Sequence, residues 1–375
     1  MAKERDRRSR CLIQVETWRL IDLGKAEPLV AQAFYEAVAE AVHRDLVPNT
    51  LILVQPDSPY TCIGYHQDLE KEIDLEYINE RDLPVIRRSQ GGGATYLDQN
   101  QVFYQIVAKN SETLPRNVNK LFEKLLAVTV ASYREIGVAA EFKPLNDVVV
   151  NGRKISGNGA GVHESATILV GNFIMDLDYD LMARVLRVPD EKFRDKMAKS
   201  MEKWVSTLSK ELGESPSPKV IKEVYFNQFQ QIMDIRLEPS KPTPAEYNIF
   251  ERETKPRHLS TDWLYMESPR QKQGRAVKIA HNIKMVEADH KAGKLIRVRA
   301  EVEGDILMDV NITGDFFIIP KESISELEEK IRGLRLDEAV LLEVVEDYYS
   351  EYGPESPGVT PRDIVDACMK LKTHI

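Results

Sequence analysis

The sequence predicts an α+β fold: a mixed, antiparallel-rich sheet with packed helices, followed by a smaller α+β unit. Three observations carry this expectation. A chain of 375 residues is long enough for two domains at ~150 residues each. Its first part alternates short β runs, some joined by glycine or Asn-Gly turns, with segments of helical periodicity. A polar, proline-rich stretch, LEPSKPTPAEYNIFERETKPRH, then separates that part from three further β runs and two helices.

Residues 1–10 read as a charged tail with five basic and two acidic side chains, and no apolar run follows to make a secretory signal. From Cys11, CLIQVETWRLIDLG predicts a strand; PLVAQAFYEAVAEAVHRD predicts a helix with Val30, Phe34, Val38 and Val42 on one stripe. LILVQPDSPYTCIGY supplies two β runs around a Pro/Asp/Ser turn, and LPVIRRSQGGGATYLDQNQVFYQIVA gives β, a glycine turn, then β. The clearest helix is NVNKLFEKLLAVTVASYREIGV, where Val118, Leu121, Leu125, Val128 and Tyr133 keep near a 3.6 period and Gly137 supplies the stop. NDVVVNGRKISGNGAGV reads as a hairpin: Asp147 to Val150, an Asn151-Gly152 turn of the kind that needs two positive φ angles, and Lys154 just beyond. ATILVGNFIMDLDYDLMARVL runs from β into helix, and a lysine- and methionine-rich helix and SPSPKVIKEVYFNQFQQIM follow.

Residues 236–260 are expected to form a linker between domains at 11–240 and 255–375. Beyond it, three β runs from Gly274 to Ile318 turn at Lys291–Lys294 and at Gly304-Asp305, and ISELEEKIRGL and PRDIVDACMKL read as helices.

Sixty acidic against 51 basic residues, a net charge of −9, argue against a general nucleic-acid binder held by phosphate neutralisation. Residues 321–355, with eleven acidic and four basic side chains, read as a solvated helix face. Cys11, Cys62 and Cys368 suit neither a zinc knuckle nor a disulfide scaffold and point to a reducing, cytoplasmic compartment. No stretch approaches the ~20 apolar residues of a membrane span. His66 and His163 lack a second His or Cys at zinc spacing, and Trp204, Trp263 and Tyr96 read as core or pocket wall.

Chemistry concentrates in two stretches. In Arg87 to Asp98, three consecutive glycines remove every Cβ from a bend, so a ligand can lie on the backbone with amides aimed at phosphate or carbonyl oxygens. Arg87 and Arg88 add positive charge; a glycine-rich hairpin with exposed arginines is the other reading of these residues. Neither GxxxxGK[ST] nor GxGxxG occurs here. In Asn146 to Gly161, Asp147 and Lys154 stand on opposite strands of the hairpin, within reach of one site if both face the same way. An ordinary surface ion pair, worth ~0–1 kcal/mol, is the alternative. Gly157, Gly159, Ala160 and Gly161 then leave room for a bulky ligand. Together the two stretches suit a nucleotide-activated carboxylate, with cations on its phosphates and an Asp able to hold Mg²⁺.

Three ordered blocks sharpen this: Ile63-Gly64 with Gln67, Arg87-Arg88 with Gly91-Gly92-Gly93-Ala94 and Asp98, and Asn146-Asp147 with Gly152-Arg153-Lys154, Ser156 and Gly157. Over roughly residues 15–235 this order resembles the lipoate-protein ligase A family, and Gly274 to about Gly333 resembles the accessory domain that bacterial-type ligases carry. The resemblance implies a catalytic fold shared with biotin-protein ligases and octanoyltransferases. It also implies a self-sufficient ligase that makes lipoyl-AMP from ATP and lipoate, then acylates a lysine of an acceptor protein domain.

By the same resemblance Lys154 is the essential lysine, Arg88 contacts phosphate, Gly91 to Gly93 form the lipoyl-facing bend, and Asn146 and Asp147 take the nucleotide and Mg²⁺ side. Ala94, Tyr96, Ser156, Gly157, Gly159 and Ala160 are implied as further substrate- or nucleotide-binding positions. Two residues depart from the family pattern: Leu97 stands where many members have histidine, and Gln90 replaces a small hydroxyl residue. Octanoyltransferases of this fold use a cysteine nucleophile, in one group just before the lysine hairpin. Here that segment, Glu141 to Asn146, has no cysteine, and Cys62 reads as a buried small residue. An octanoyl or lipoyl transferase and a non-catalytic lipoyl-domain binder are the other two readings.

Overall fold

The computed structural model describes residues 15–109, 111–188, 190–268 and 283–375. The described strands are β1 (Glu16–Ala26), β2 (Thr50–Pro56), β3 (Tyr60–Ile63), β4 (Val85–Arg87), β5 (Thr95–Leu97), β6 (Gln101–Ala108), β7 (Glu141–Lys143), β8 (Asp147–Val150), β9 (Arg153–Ser156), β10 (Asn158–His163), β11 (Ala166–Ile174), β12 (Ile235–Ser240), β13 (Ile283–Lys291), β14 (Leu295–Glu303) and β15 (Ile306–Gly314). The largest sheet has the order β10-β11-β6-β2-β1-β12, with β1 parallel to β2 and β12 and the remaining pairs antiparallel.

Successive side chains of a strand point to opposite faces, and both faces of this sheet are covered. Ile21, Ile52, Val107 and Ile168 pack with the helix Pro28–His43. Leu51, Leu53, Ile106 and Leu169 pack on the other side with the helices Val118–Ile136 and Pro218–Met233. Gly137 ends the first of these two helices, as the sequence predicts, and the structure adds a cap: Asn117 accepts the Lys120 N–H. Two small sheets, β4-β3-β5 and β7-β8-β9, carry the informative motifs.

The structure extends some of these expectations and corrects one. The predicted strand begins at Glu16, and residues 11–14 lie outside the described residues, as do 274–282. The β runs around the Pro/Asp/Ser turn do not pair: β2 enters the main sheet and β3 the centre of a small one. The expected linker is ordered structure. β12 closes an edge of the main sheet, and 244–264 forms helical turns that pack on the first part through Glu246 with Arg19, His258 with Glu36 and Leu264 with Arg87. The signal was the capping box Thr243-Pro-Ala-Glu246, both of whose bonds form. The acidic stretch does present a solvated helix face: Glu338–Tyr352 buries Leu341, Val345 and Tyr348 and turns its carboxylates outward.

The second part packs β13-β14-β15 against the helices Ser323–Ile331, Glu338–Tyr352 and Pro361–Lys370 around its own apolar core. It seats on the first part through Lys71–Glu287 at 2.6 Å, Arg297–Glu72 at 3.0 Å, Arg299–Asp68 at 3.2 Å and the Glu355 carboxylate on the Val118 N–H at 2.9 Å.

Candidate active site

The lysine hairpin forms as its sequence dictates. Val150 pairs with Arg153 across Asn151 and Gly152, whose φ angles are 48° and 76°. One pair away from the turn the register shifts between Val148 and Val149, so Val149 faces Lys154 and Val148 faces Ser156. Three bonds fix the strand that carries Lys154. Its carbonyl accepts the Ser206 N–H at 2.7 Å, Tyr133 donates to the Ile155 carbonyl at 2.6 Å, and Asn172 Oδ1 accepts the Gly157 N–H at 2.7 Å. Asn146 and Asn158 exchange side-chain-to-carbonyl bonds at 2.6 and 3.0 Å, tying the start of the hairpin to β10. Lys154 Nζ meets Asp147 Oδ1 at 2.8 Å, so the two groups do face one site.

The glycine bend is not a hairpin turn, because β4 and β5 flank β3 on either side rather than pairing with each other. Arg88 braces it: Nε and Nη2 donate to the Gly91 carbonyl at 3.1 and 2.8 Å, and Nη2 also reaches the Gly93 carbonyl at 2.9 Å. Arg87 differs from the sequence reading. It is fully buried, donates to the carbonyls of Gly64, Tyr65, Gln67 and Leu264, and adds no charge to an open surface. The outer side of the bend receives the second part of the chain. The Gly92 N–H donates to the Phe316 carbonyl at 3.1 Å, and a Cβ on Gly91 would stand 2.2 Å from that oxygen. One amide expected to face a ligand therefore engages protein.

Hairpin and bend meet across a cavity of ≈ 190 Å³. Of the residues named from the sequence, Arg88, Gly91, Gly92, Gly93, Asn146, Lys154, Gly157 and Gly159 line it. Ala94, Tyr96, Ser156 and Ala160 do not: Tyr96 and Ala94 pack with Ile63 and Leu69, Ser156 bonds Asn158, and Ala160 lies in the main core. Asp147 reaches the site through its pair with Lys154. Sequence reasoning missed Lys294 and Phe317 from the second part, along with Gln105, Asn172 and Phe103. Nothing in the local patterns around them marks a site.

Leu97, the departure from the family pattern, stands in the cavity wall, in one apolar cluster with Phe103 and Cys62. Cys62 is 1% exposed, and burial pushes its thiol up, against the opposing pull of the Arg88 guanidinium 3.4 Å from its sulfur. An apolar wall and an ammonium in one cavity suit an acyl chain with a charged head.

The histidines play other parts. His163 pairs with Glu40 at 2.5 Å, and His66 stacks on Phe316 with its carbonyl accepting the Gly314 N–H at 2.9 Å. Trp263 packs beside Tyr65, whereas Trp204 is 68% exposed, neither core nor cavity wall. Among the described residues no group of three or more His, Cys, Asp or Glu could hold a metal, and no helix is long and apolar enough to cross a membrane.

Comparison with known proteins follows the same lines. Residues 27–230 match the family model described as the lipoyl protein ligase A/B catalytic domain, and residues 286–367 match the bacterial lipoate protein ligase C-terminus. The chain is 27% identical over 273 residues to octanoyltransferase LipM of Kyrpidia tusciae, covering 67% of this chain and 99% of that protein. It is 26% identical over 312 residues to lipoate-protein ligase LplJ of Bacillus subtilis, covering 83% of this chain and 89% of that one. Among solved structures, the bi-partite lipoate protein ligase of Thermoplasma acidophilum, described with its E2 lipoyl domain, superposes with a TM-score of 0.59 at 25% identity, covering 66% of this chain and 96% of that one. The catalytic-domain match takes in the bend, the hairpin and more than half of all residues, and by it the chain belongs to the lipoyl protein ligase A/B family.

Proposed function

We propose that the chain is an ATP-dependent lipoate-protein ligase that forms lipoyl-AMP and passes the lipoyl group to a lysine of an acceptor protein domain. In the first step a lipoate carboxylate oxygen attacks the α-phosphorus of ATP and pyrophosphate leaves. In the second the acceptor amine attacks the acyl carbon, AMP leaves and the amine loses a proton. Negative charge grows on phosphoryl and carbonyl oxygens in both steps, and a fixed cation in a site shielded from water stabilises it.

Lys154 is the observation that carries the reading. Its ammonium stands beside Asp147 in a cavity that also has the apolar wall of Leu97, Phe103 and Cys62. In this reading Asn146 and Arg88 serve the nucleotide, and Gly91 to Gly93 with Gly157 and Gly159 border the acyl group. Ala94, Tyr96, Ser156 and Ala160 hold the bend and hairpin in shape. Mg²⁺ commonly rests on one or two carboxylates plus substrate phosphates. Asp147, a carboxylate 31% exposed at the edge of the site, fits that need and would hold an ion that neutralises phosphate charge. The acceptor is a lipoyl domain, the kind of partner described for the Thermoplasma ligase. The catalytic unit extends to Ser268, since the helical turns up to Leu264 pack on it, and the accessory unit includes everything from Ile283.

Octanoyl transfer is the second reading, favoured by the relatives named LipM and by the presence of Cys62 in the cavity wall. The buried, raised thiol weighs against it, as do the C-terminal match and the longer match to LplJ. Incubation with ATP, lipoate and an unmodified lipoyl domain is expected to release pyrophosphate and form the lipoyl amide. Transfer of octanoate from an acyl-carrier-protein thioester without ATP, abolished in Cys62→Ala, would replace the ligase reading by the second. Acceptor binding with neither AMP nor pyrophosphate formed would reject both.

A further inference from the structure

We infer that Lys294, carried on the β13–β14 turn of the accessory unit, is a second anion-binding cation of the cavity, so that the polyphosphate site is built from both units. Lys294 and Phe317 line the same cavity as Lys154. Lys294 lies near Lys154, Asp147 and Asp315; burial, and then the adjoining Lys154 charge, pull its ammonium down from the ordinary lysine range. Two ammonium groups in one half-buried cleft repel each other. Asp147, 2.8 Å from the Lys154 ammonium, and Asp315 beside the turn offset part of that repulsion, and an anionic ligand touching both lysines offsets the rest.

The turn is held as a binding element would be. A Cβ on Gly293 would stand 2.5 Å from the Gly358 carbonyl oxygen, so the turn lies directly on that loop. Gly358 in turn abuts Leu145, the residue before Asn146 and Asp147. The Leu295 N–H donates to Asp315 Oδ1 at 2.5 Å, and the Asp315 N–H returns to the Leu295 carbonyl at 3.2 Å. Lys294 Nζ stands 5.5 Å from the centre of the Phe317 ring, whose edge lies against Gly92 and Gly159. The stem of Lys294 therefore lies between Phe317 and Gly358 of its own unit, and Gly358 also faces Leu145 at the approach to the lysine hairpin. Lys291, on the same turn, is exposed, stands 3.6 Å from Asp315 and does not line the cavity.

The inference deepens the ligase reading and rests on it for the identity of the ligand, the triphosphate of ATP or the pyrophosphate released from it. Calorimetric titration of the full chain with ATP and, separately, with inorganic pyrophosphate tests it without turnover. Lys294→Met is expected to weaken both by about ten-fold or more, the scale of one hydrogen bond to a charged group, and to leave lipoate binding unchanged. Lys294→Arg is expected to restore most of the loss, and Lys291→Met to bind like wild type. A Lys294→Met protein that binds both probes like wild type overturns the inference. So does a Lys291→Met protein that loses as much, since the effect is then a general field. Tight, Lys294-dependent pyrophosphate binding by a protein that makes no lipoyl-AMP keeps the inference and rejects the ligase reading. A wild-type chain that binds neither probe rejects both.

Discussion

The lysine hairpin and the glycine bend face the same cavity, but they are specified over very different distances in the chain. In the hairpin, the Asn151-Gly152 turn sets the strand pairing, and Asp147 and Lys154 find each other across it. In the bend, Gly91 and Gly92 are shaped on one side by Arg88 and on the other by the Phe316 carbonyl, which arrives from the accessory unit. A run of small residues therefore marks a place where something lies close to the backbone, without saying whether it is ligand or protein.

Substitution sharpens the contrast. The largest expected effect is on the hairpin: Lys154→Ala removes a cation from the developing charge and is expected to slow lipoyl-AMP formation by about 10²–10³-fold. Its fold should survive, because the side chain is 39% exposed and its ion pair contributes ~0–1 kcal/mol. Single-turnover kinetics with thermal melts would show both.

Next comes one substitution made at two glycines. Gly91→Ala drives a methyl onto the Phe316 carbonyl and is expected to cost about 1–3 kcal/mol, with the accessory unit loosened in solution scattering. Gly152→Ala meets nothing within 4 Å and carries only the strain of φ +76°, about 1–2 kcal/mol, with no change in scattering. Equal scattering changes would erase the distinction between the two regions.

Acid should act first on the docked side. His66, buried against Phe316, has its imidazole held down to about 3 by burial, with the Arg87 and Lys321 charges adding to this, whereas a histidine of the unfolded chain titrates near 6.5. The unfolded chain thus takes up this proton first. Stability is full above about pH 6.5 and falls as the pH drops from there towards 3, by up to ~1.4 kcal/mol per unit. Glu36, held well below the usual carboxylate range by His258 and Arg257 against the cost of its burial, contributes stability that is lost only as the pH falls below about 4.5. Denaturant melts between pH 6.5 and 5 should therefore separate wild type from His66→Phe, which keeps the stack and cannot titrate. Parallel slopes for the two proteins would remove His66 from the account.

The smallest effect is expected at Cys62. Its thiol is buried and raised, so Cys62→Ala should ligate lipoate at the wild-type rate in the presence of ATP.

Legibility followed the same division. The helix Val118–Ile136 and the hairpin were readable because their signals, a 3.6-residue period, a glycine stop and an Asn-Gly turn, act within a few residues. Prolines at 239, 242 and 244 suggested a linker, yet Ile235 and Leu237 are buried in a sheet edge and Thr243 opens a helix that buries Glu246 against Arg19. Proline at the first helical position was the relevant rule. In the site, Lys154, Asn146 and Arg88 could be named from their motifs. Lys294 and Phe317 could not, because only the docking of the two units brings them to the cavity.

Single-turnover formation of lipoyl-AMP, followed by separating the adenylate from ATP and lipoate, addresses the claim that Lys154 is the cation at the reacting centre. The wild-type chain is expected to form adenylate from ATP and lipoate, and a folded Lys154→Ala protein to make it at least about a hundred-fold more slowly. Adenylate formed by Lys154→Ala at the wild-type rate would contradict that claim.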